Sequence, residues 1–333
     1  MATSLRVLHA PINIANQMTA LTRGLRAIGV DATACEFERT WLGYPVDRCL
    51  HLEEAPTRVH RWVRQLRFLL WALPRFDVFH LHFGESLLPH NRDLFALRRR
   101  GKRVLMHYWG SDVRPRSRSV LGRTEPRRAR RLRRVATDVR TALVGDAELA
   151  SYVQPFFAEV ATVRQAIELD AYAPAPPREE TTVPLVVHAP SRAMLKGTPA
   201  VLAAVEQLRQ RHRFEFQLVE NTPHQQALET YRRADVIVDQ LTIGTHGLFA
   251  VEAMALAKPT ICYLDPQWRG GYPAELPLVS ATEQTIADVL AELLGDARRR
   301  RQLGDAGRAY VERHHDARVV ARGLLELYTR GQE

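Results

Sequence analysis

The stretch PLVVHAPSRAMLKGTPAVLAAVEQLRQR, residues 184–211, decides how the rest of the chain is read. Leu185, Val186 and Val187 form a short unbroken apolar run, the mark of a strand buried on both faces. A polar loop follows. Thr198-Pro199 then reads as an N-cap with proline in the first helical position, and the apolar residues beyond recur at helical spacing. Strand, loop and helix make half of a βαβ unit, which requires a parallel partner strand.

The same grammar runs outward in both directions. Downstream come the strands RFEFQLVE, DVIVDQ and PTICYL, with a helix before DVIVDQ and the helix GLFAVEAMALA before PTICYL. Upstream, the strands LRVLHA, VDATACEF, DVFHLH, RVLMH and RTALVG alternate with helical patterns. The first of these helices, NQMTALTRGLRAIG, ends at Gly29. Around Pro174 the pattern lapses into APAPPREETTVP, a proline-rich polar linker. The expectation is an α/β chain of two Rossmann-like, doubly wound domains in series, facing across a cleft. The boundaries are 1–165 for the first domain, 166–183 for the linker, 184–312 for the second domain and 313–333 for a C-terminal helix. His314, His315 and Asp316 read as a turn between helices.

At 333 residues the chain has room for two cores, and its 46% hydrophobic and 25% charged content exclude a wholly disordered protein. A formal net charge of +10 predicts attraction to something anionic: nucleic acid, a phospholipid surface or a phosphorylated small molecule. Cys35, Cys49 and Cys262 have no zinc or redox spacing, which suits a reducing compartment. With no charged-then-apolar leader and no apolar run of membrane-span length, a cytoplasmic protein is expected.

In such folds ligands bind beyond the carboxyl ends of strands. Ser191, Arg192 and Lys196 lie in such a loop, against a helix start whose free amides favour an anion. Arg192 offers a planar fork and Lys196 a compact charge, in a sequence whose only other lysines are Lys102 and Lys258. The pair is either a diphosphate clamp or two solvated surface cations. Glu252 sits in a helix, 247–256, that is otherwise apolar all round. A carboxylate there needs strong donors: either a structural partner or the vicinal hydroxyls of a ribose. Gly247 and Leu248 offer backbone amides at the same helix's start. No GxGxxG follows the first strand, which speaks against a nicotinamide or flavin enzyme.

These stretches together resemble the retaining GT-B glycosyltransferases of the family 4, or group 1, type found in bacteria. HAPSRAMLKGT resembles that family's arginine–lysine diphosphate loop, and GLFAVEAMALAKP its helix bearing the second glutamate of a Glu–seven residues–Glu motif. RQAIELDAYAP resembles the segment leading into the interdomain linker, and YWGSDVR the loop facing the donor sugar. RRRRQLGDAGRAYVERHHD resembles the C-terminal helix that returns to the first domain. The resemblance implies transfer of a hexose from a nucleotide-diphosphate sugar to an acceptor hydroxyl, with retention and with neither metal nor cofactor. The acceptor would be a saccharide, a lipid-linked intermediate or a natural product. Arg192 and Lys196 would neutralise the diphosphate, Glu252 would bind the ribose, and the Gly247 and Leu248 amides would join the phosphate site. Asn13, Asn16 and Gln17 occupy the place where the family approaches phosphate and acceptor, and Asn221 and His224 the place of base contacts. Asp112, in the YWGSDVR loop, joins the donor-sugar or acceptor set.

The sequence departs from that family twice. The first glutamate of the motif falls on Gly244, leaving the sugar contact open to Asp239, Thr245 or His246. Trp109 stands where histidine is often found, and strand alternation turns His107 the same way as Trp109. His107 is equally readable as a core residue. Two basic segments, Arg58–Phe76 and Arg114–Arg134, could meet an anionic membrane face. In the first, Val59, Trp62, Val63, Leu66, Leu70 and Leu73 line one helical face, with Arg61, Arg64, Arg67, Phe68 and Trp71 on the other. A neighbouring domain or subunit covering that helix is the plainer reading. A non-catalytic nucleotide-sugar-binding protein, a sugar-nucleotide epimerase and a basic nucleic-acid-binding protein are the alternatives, the last without any recognisable motif. The sequence does not fix an oligomeric state.

Overall fold

The computed structural model describes residues 5–40, 43–115, 125–175 and 183–330. It consists of two compact units, one formed by residues 1–167 with 316–333 and the other by 168–315.

The first unit is built on seven strands: β1 Arg6–Ala10, β2 Asp31–Glu36, β3 Arg48–Cys49, β4 Val78–His82, β5 Arg103–Tyr108, β6 Thr141–Val144 and β7 Glu159–Thr162. They run parallel in the order β3-β2-β1-β4-β5-β6-β7. The order steps outward from β1 in both directions, so the crossovers cover both faces. The helices are α1 Gln17–Ala27, α2 Arg58–Ala72, α3 Leu94–Arg99, α4 Pro126–Ala136 and α5 Ala147–Val153. One face of the sheet packs Leu8, Phe79, Leu81, Met106 and Val144 against Phe68, Leu97, Leu132 and Leu149. The other carries Val7, Val78, Leu105 and Leu143.

The second unit has four parallel strands, β8 Leu185–His188, β9 Glu215–Leu218, β10 Val236–Val238 and β11 Thr260–Ile261, ordered β11-β10-β8-β9. Its helices are α6 Ala193–Lys196, α7 Thr198–Arg209, α8 His224–Arg233, α9 Leu248–Ala255, α10 Pro266–Arg269, α11 Ile286–Gly295 and α12 Ala297–His314. A Cβ on Gly304 would lie 2.1 Å from the Ala257 carbonyl oxygen, so glycine lets α12 close onto the end of α9. Asp316 then caps α13, Ala317–Thr329, which packs in the first unit against α1. Contact there is equally tight, with a Cβ on Gly24 falling 2.2 Å from the Ala317 oxygen.

Three readings need correction. The loop after β8 is not irregular throughout: one turn, α6, carries Lys196, and Gly197 rather than Thr198 stands at the N-cap of α7. Gly197 adopts φ +79° with Leu241 3.0 Å from where a Cβ would sit, which no other residue tolerates easily. The Thr198 hydroxyl instead meets His188 Nε2 at 2.9 Å. Helix α2 lies the other way round from its apparent stripe. Phe68, Leu69 and Ala72 are its buried residues, while Val59, Trp62, Val63 and Leu70 are exposed. The reason is local: Arg61 donates to the Leu52 carbonyl at 3.1 Å and Arg64 to that of His51 at 2.5 Å, so both guanidinium groups face the unit. Finally, the strands β3 and β7 escape the sequence pattern. In the segments expected to be linker and basic run, residues 176–182 and 116–124 lie outside the described residues. Among the described residues no helix is long and apolar enough to cross a membrane.

Candidate functional site

Lys196 and the start of α9 are brought together by a third residue. The Lys196 ammonium donates to Asp239 Oδ1 at 2.7 Å, and the Gly247 amide donates to Asp239 Oδ2 at 2.9 Å. Asp239 follows β10 directly and is buried. Burial pushes its carboxyl up, but Lys196, the Gly247 amide and His246 outweigh that and hold it below the usual carboxylate range. A Cβ on Gly247 would stand 3.2 Å from Lys196 Nζ, so this glycine leaves the room in which the pair forms. One amide of the expected anion site is therefore taken by the protein's own carboxylate. Arg192, the N-cap of α6, is exposed and makes no hydrogen bond or ion pair among the described residues.

Glu252, buried on α9, has its partners within the same unit. Its Oε1 accepts from the Tyr172 hydroxyl at 2.7 Å and from His224 Nε2 at 2.6 Å. The hydrogen bond to Glu252 raises the His224 imidazole above its usual range, and burial only partly offsets this. Glu252 Oε2 accepts no hydrogen bond from the described residues. His224 is thus placed beside the carboxylate, while Asn221, at φ +50°, is exposed on the preceding turn.

The loop from 240 to 246 is organised by Gln240, which is fully buried. Its amide nitrogen donates to the carbonyls of Thr245 and Tyr263, both at 2.9 Å. Its Oε1 accepts from the amides of Thr242 at 2.7 Å and Ile243 at 2.6 Å. Gly244 takes φ +88°, and a Cβ there would lie 2.7 Å from Asp265 Cβ. A glutamate cannot be seated at 244 unless that neighbour moves. Thr245 is buried with its hydroxyl oxygen unpartnered among the described residues, and the His246 ring packs 4.8 Å from that of Tyr272.

In the first unit most of the polar residues named from the sequence are hydrogen-bonded or stacked by neighbouring protein groups. Asn13 Oδ1 accepts from the Met18 amide at 3.1 Å, and its Nδ2 donates to Thr19 Oγ1 at 3.0 Å. Gln17 makes a two-way pair with Ala166, donating to its carbonyl at 3.0 Å and accepting from its amide at 2.8 Å. Asn16 adopts φ +60° with a buried Oδ1 that has no partner among the described residues. Asp112 accepts from the amides of Trp109 at 3.1 Å and Gly110 at 2.8 Å, closing the turn after β5. His107 is fully buried and stacks on Trp109 with ring centroids 3.8 Å apart. Tyr172, Gln240 and Asp265 are contributors that spacing alone did not name, and Asp239, named for the sugar, instead holds Lys196; a polar Asp-Gln pair ending an otherwise apolar strand was the available signal.

Two parallel sheets of this kind in one chain are the GT-B architecture, and solved structures share it. The chain superposes on sucrose-phosphate synthase from Thermosynechococcus elongatus with a TM-score of 0.68 at 15% identity, covering 98% of each chain. Anabaena HepE in complex with UDP and glucose gives 0.66 at 11%, covering 98% of this chain and 99% of that one. The trehalose-6-phosphate synthase OtsA gives 0.65 at 13%, with coverage of 98% and 99%. No family model matches the sequence, and no curated protein matches it.

Proposed function

We propose that the protein is a glycosyltransferase that moves a sugar from a nucleotide-diphosphate sugar to an acceptor hydroxyl. The observation that carries this reading is the helix α9. Its first amide and Lys196 meet at one carboxylate, and one turn further along Glu252 holds an oxygen that no donor among the described residues engages. Cations and amides suit a diphosphate, and a carboxylate with a free oxygen suits a ribose. The shared fold supports the reading, as does UDP in the HepE complex.

In the proposed reaction the bond between the anomeric carbon and the diphosphate breaks, charge builds on the leaving oxygen, and the acceptor hydroxyl forms the new bond. Arg192, Lys196 and the Leu248 amide stabilise that charge, a contribution of a few kcal/mol per group. Asp239 positions Lys196. The acceptor proton passes to the departing phosphate, so retention needs no protein nucleophile and no metal. Because Gly244 offers no carboxylate and Asp239 is committed to Lys196, Thr245, His246 and Asp265 remain to meet the donor sugar. The exposed stripe Val59, Trp62, Val63 and Leu70 beside Arg58 and Arg67 suits a membrane-borne acceptor. A non-catalytic binder of nucleotide sugars is the second reading, favoured by Lys196 being already neutralised.

A thermal-shift panel of nucleoside diphosphates and their sugars tests the binding step, since a ligand at 100 times its Kd stabilises by about 2.7 kcal/mol. Nucleotide diphosphate released only when acceptor is present distinguishes the enzyme from the binder. A flat panel across all nucleotides refutes both.

A further inference from the structure

Four histidines meet on one face of the first unit's sheet, near the carboxyl ends of its central strands. His9 on β1, His80 and His82 on β4 and His107 on β5 are all fully buried, and none belongs to the candidate site on α9. Register places His9 beside His80 and His82 beside His107. Tyr328, from α13, lies between them. Nitrogen atoms of His9, His80 and His82 all lie within 4.8 Å of one another, a spacing that also suits a metal ion.

The hydrogen bonds run in sequence. Trp109 Nε1 is 3.1 Å from His82 Nδ1, and His82 Nε2 is 3.0 Å from His9 Nδ1. His9 Nε2 is 3.4 Å from the Tyr328 hydroxyl, which is 2.6 Å from His80 Nδ1. His80 Nε2 is 3.0 Å from His107 Nδ1, and His107 Nε2 is buried without a partner among the described residues.

One fact sets the direction of this chain. An indole N–H can only donate, so His82 Nδ1 must accept. A neutral His82 then carries its proton on Nε2 and donates to His9 Nδ1. His9 in turn donates from Nε2 to the Tyr328 oxygen, whose own proton has only His80 Nδ1 left to meet. His80 therefore donates from Nε2 to His107 Nδ1. Reversing the last two links would strand the tyrosine proton and leave His107 Nε2 an unpaired acceptor, two unsatisfied groups in place of one. A neutral state for all four rings agrees with their burial, which lowers His9 to about 3 and the other three well below the usual range.

We propose that the indole of Trp109 locks these five side chains into one directed hydrogen-bond chain, with every imidazole in its Nε2–H form, so that His107 presents a fixed N–H donor. That end suits an oxygen acceptor. The lock also refuses a metal at this cluster, because a cation on His82 Nε2 would move the ring proton to Nδ1, against the indole N–H. The inference stands independently of what α9 binds.

Histidine-selective 15N labelling with long-range 1H–15N spectra at pH 7 reads the tautomers directly in the intact chain. All four rings should be in the Nε2–H form. Trp109→Phe keeps an aromatic ring but removes the donor, and Nδ1–H forms should then appear along the chain. Tyr328→Phe cuts the chain in the middle: His82 and His9 should keep their Nε2–H form while His80 and His107 become mixed. An Nδ1–H form at any of the four in the unaltered protein overturns the proposal, as does an unchanged His80–His107 pair in Tyr328→Phe. Zinc added at one equivalent should leave the four rings' resonances unmoved; binding that shifts His9, His80 and His82 together overturns the lock.

Discussion

Lowering the pH from 7.5 to 5.5 should weaken the first unit far more than the second. His9, His80, His82 and His107 are buried and neutral, with folded pKa values depressed below 6.5. A group of this kind takes up its proton only on unfolding. Its stabilising effect is complete above the unfolded value and is lost as the pH falls below it. Between pH 7.5 and 5.5 each such histidine costs about 1.4 kcal/mol, and the four together about 5 kcal/mol. Glu36 opposes them most strongly, because burial raises its carboxyl to about 7 and the folded state then gains a proton in the same window; burial also raises Asp93, Asp112 and Glu148, with smaller shifts in the same direction. That offset is about 2 kcal/mol, leaving a net loss of roughly 3 kcal/mol, a large fraction of a typical domain's stability. In the second unit His188 is lowered by burial but His224 is raised by Glu252, so their effects oppose each other. Hydrogen exchange, corrected for the intrinsic pH effect, resolves the two units in the intact chain. Protection of β4 and β5 amides should fall on the order of a hundredfold, with a much smaller change in β8 and β10. An equal change in both sheets, or less than about tenfold in β4 and β5, refutes the assignment of four neutral buried rings.

Arg192→Ala removes an exposed side chain with no partner among the described residues, so the melting temperature should be unchanged. Turnover of the nucleotide sugar found in the thermal-shift panel should nevertheless drop on the order of a hundredfold. Asp239→Asn leaves the Lys196 ammonium beside a neutral amide, and urea titration should show a loss of about 3 kcal/mol in the second unit. Gly304→Ala forces a methyl group to within 2.1 Å of the Ala257 oxygen and should cost about 1–3 kcal/mol or more by the same measurement.

The strand–helix alternation was readable because a parallel strand buried on both faces is an apolar run, and ten residues of helix carry their own period. It failed at β3, which has two residues, and at β7, which is only half-buried and so has no apolar run to show. The stripe on α2 misled for a different reason. A helical period says that two faces differ, not which of them meets the core, and two arginines bonded to backbone carbonyls turned the basic face inward. The histidines carried a signal that parity could have supplied. His80 and His82 alternate on one strand, and His9 and His107 fall at matching positions on its two neighbours.

The candidate site divides along the same physical line. That Glu252 must be satisfied follows from its place in an apolar helix. That Tyr172 and His224 satisfy it does not, because partners 80 and 28 residues away are set by packing rather than by period. Lys196 was legible as a cation at a strand's end, but its neutralisation by Asp239 was not, and this changes what the site offers. An incoming diphosphate would find one amide and one ammonium already holding a carboxylate, so it must share Lys196 with Asp239 or rely on Arg192 and the Leu248 amide. Gly244 makes the complementary point. A missing carboxylate can be read from the sequence as a loss, yet the packing gives it a cause. At φ +88° and with Asp265 Cβ 2.7 Å from any Cβ added there, the loop has been built around the glycine. Restoring glutamate by Gly244→Glu should therefore destabilise the second unit rather than add a sugar contact, and raised turnover in that variant would show the reasoning to be wrong.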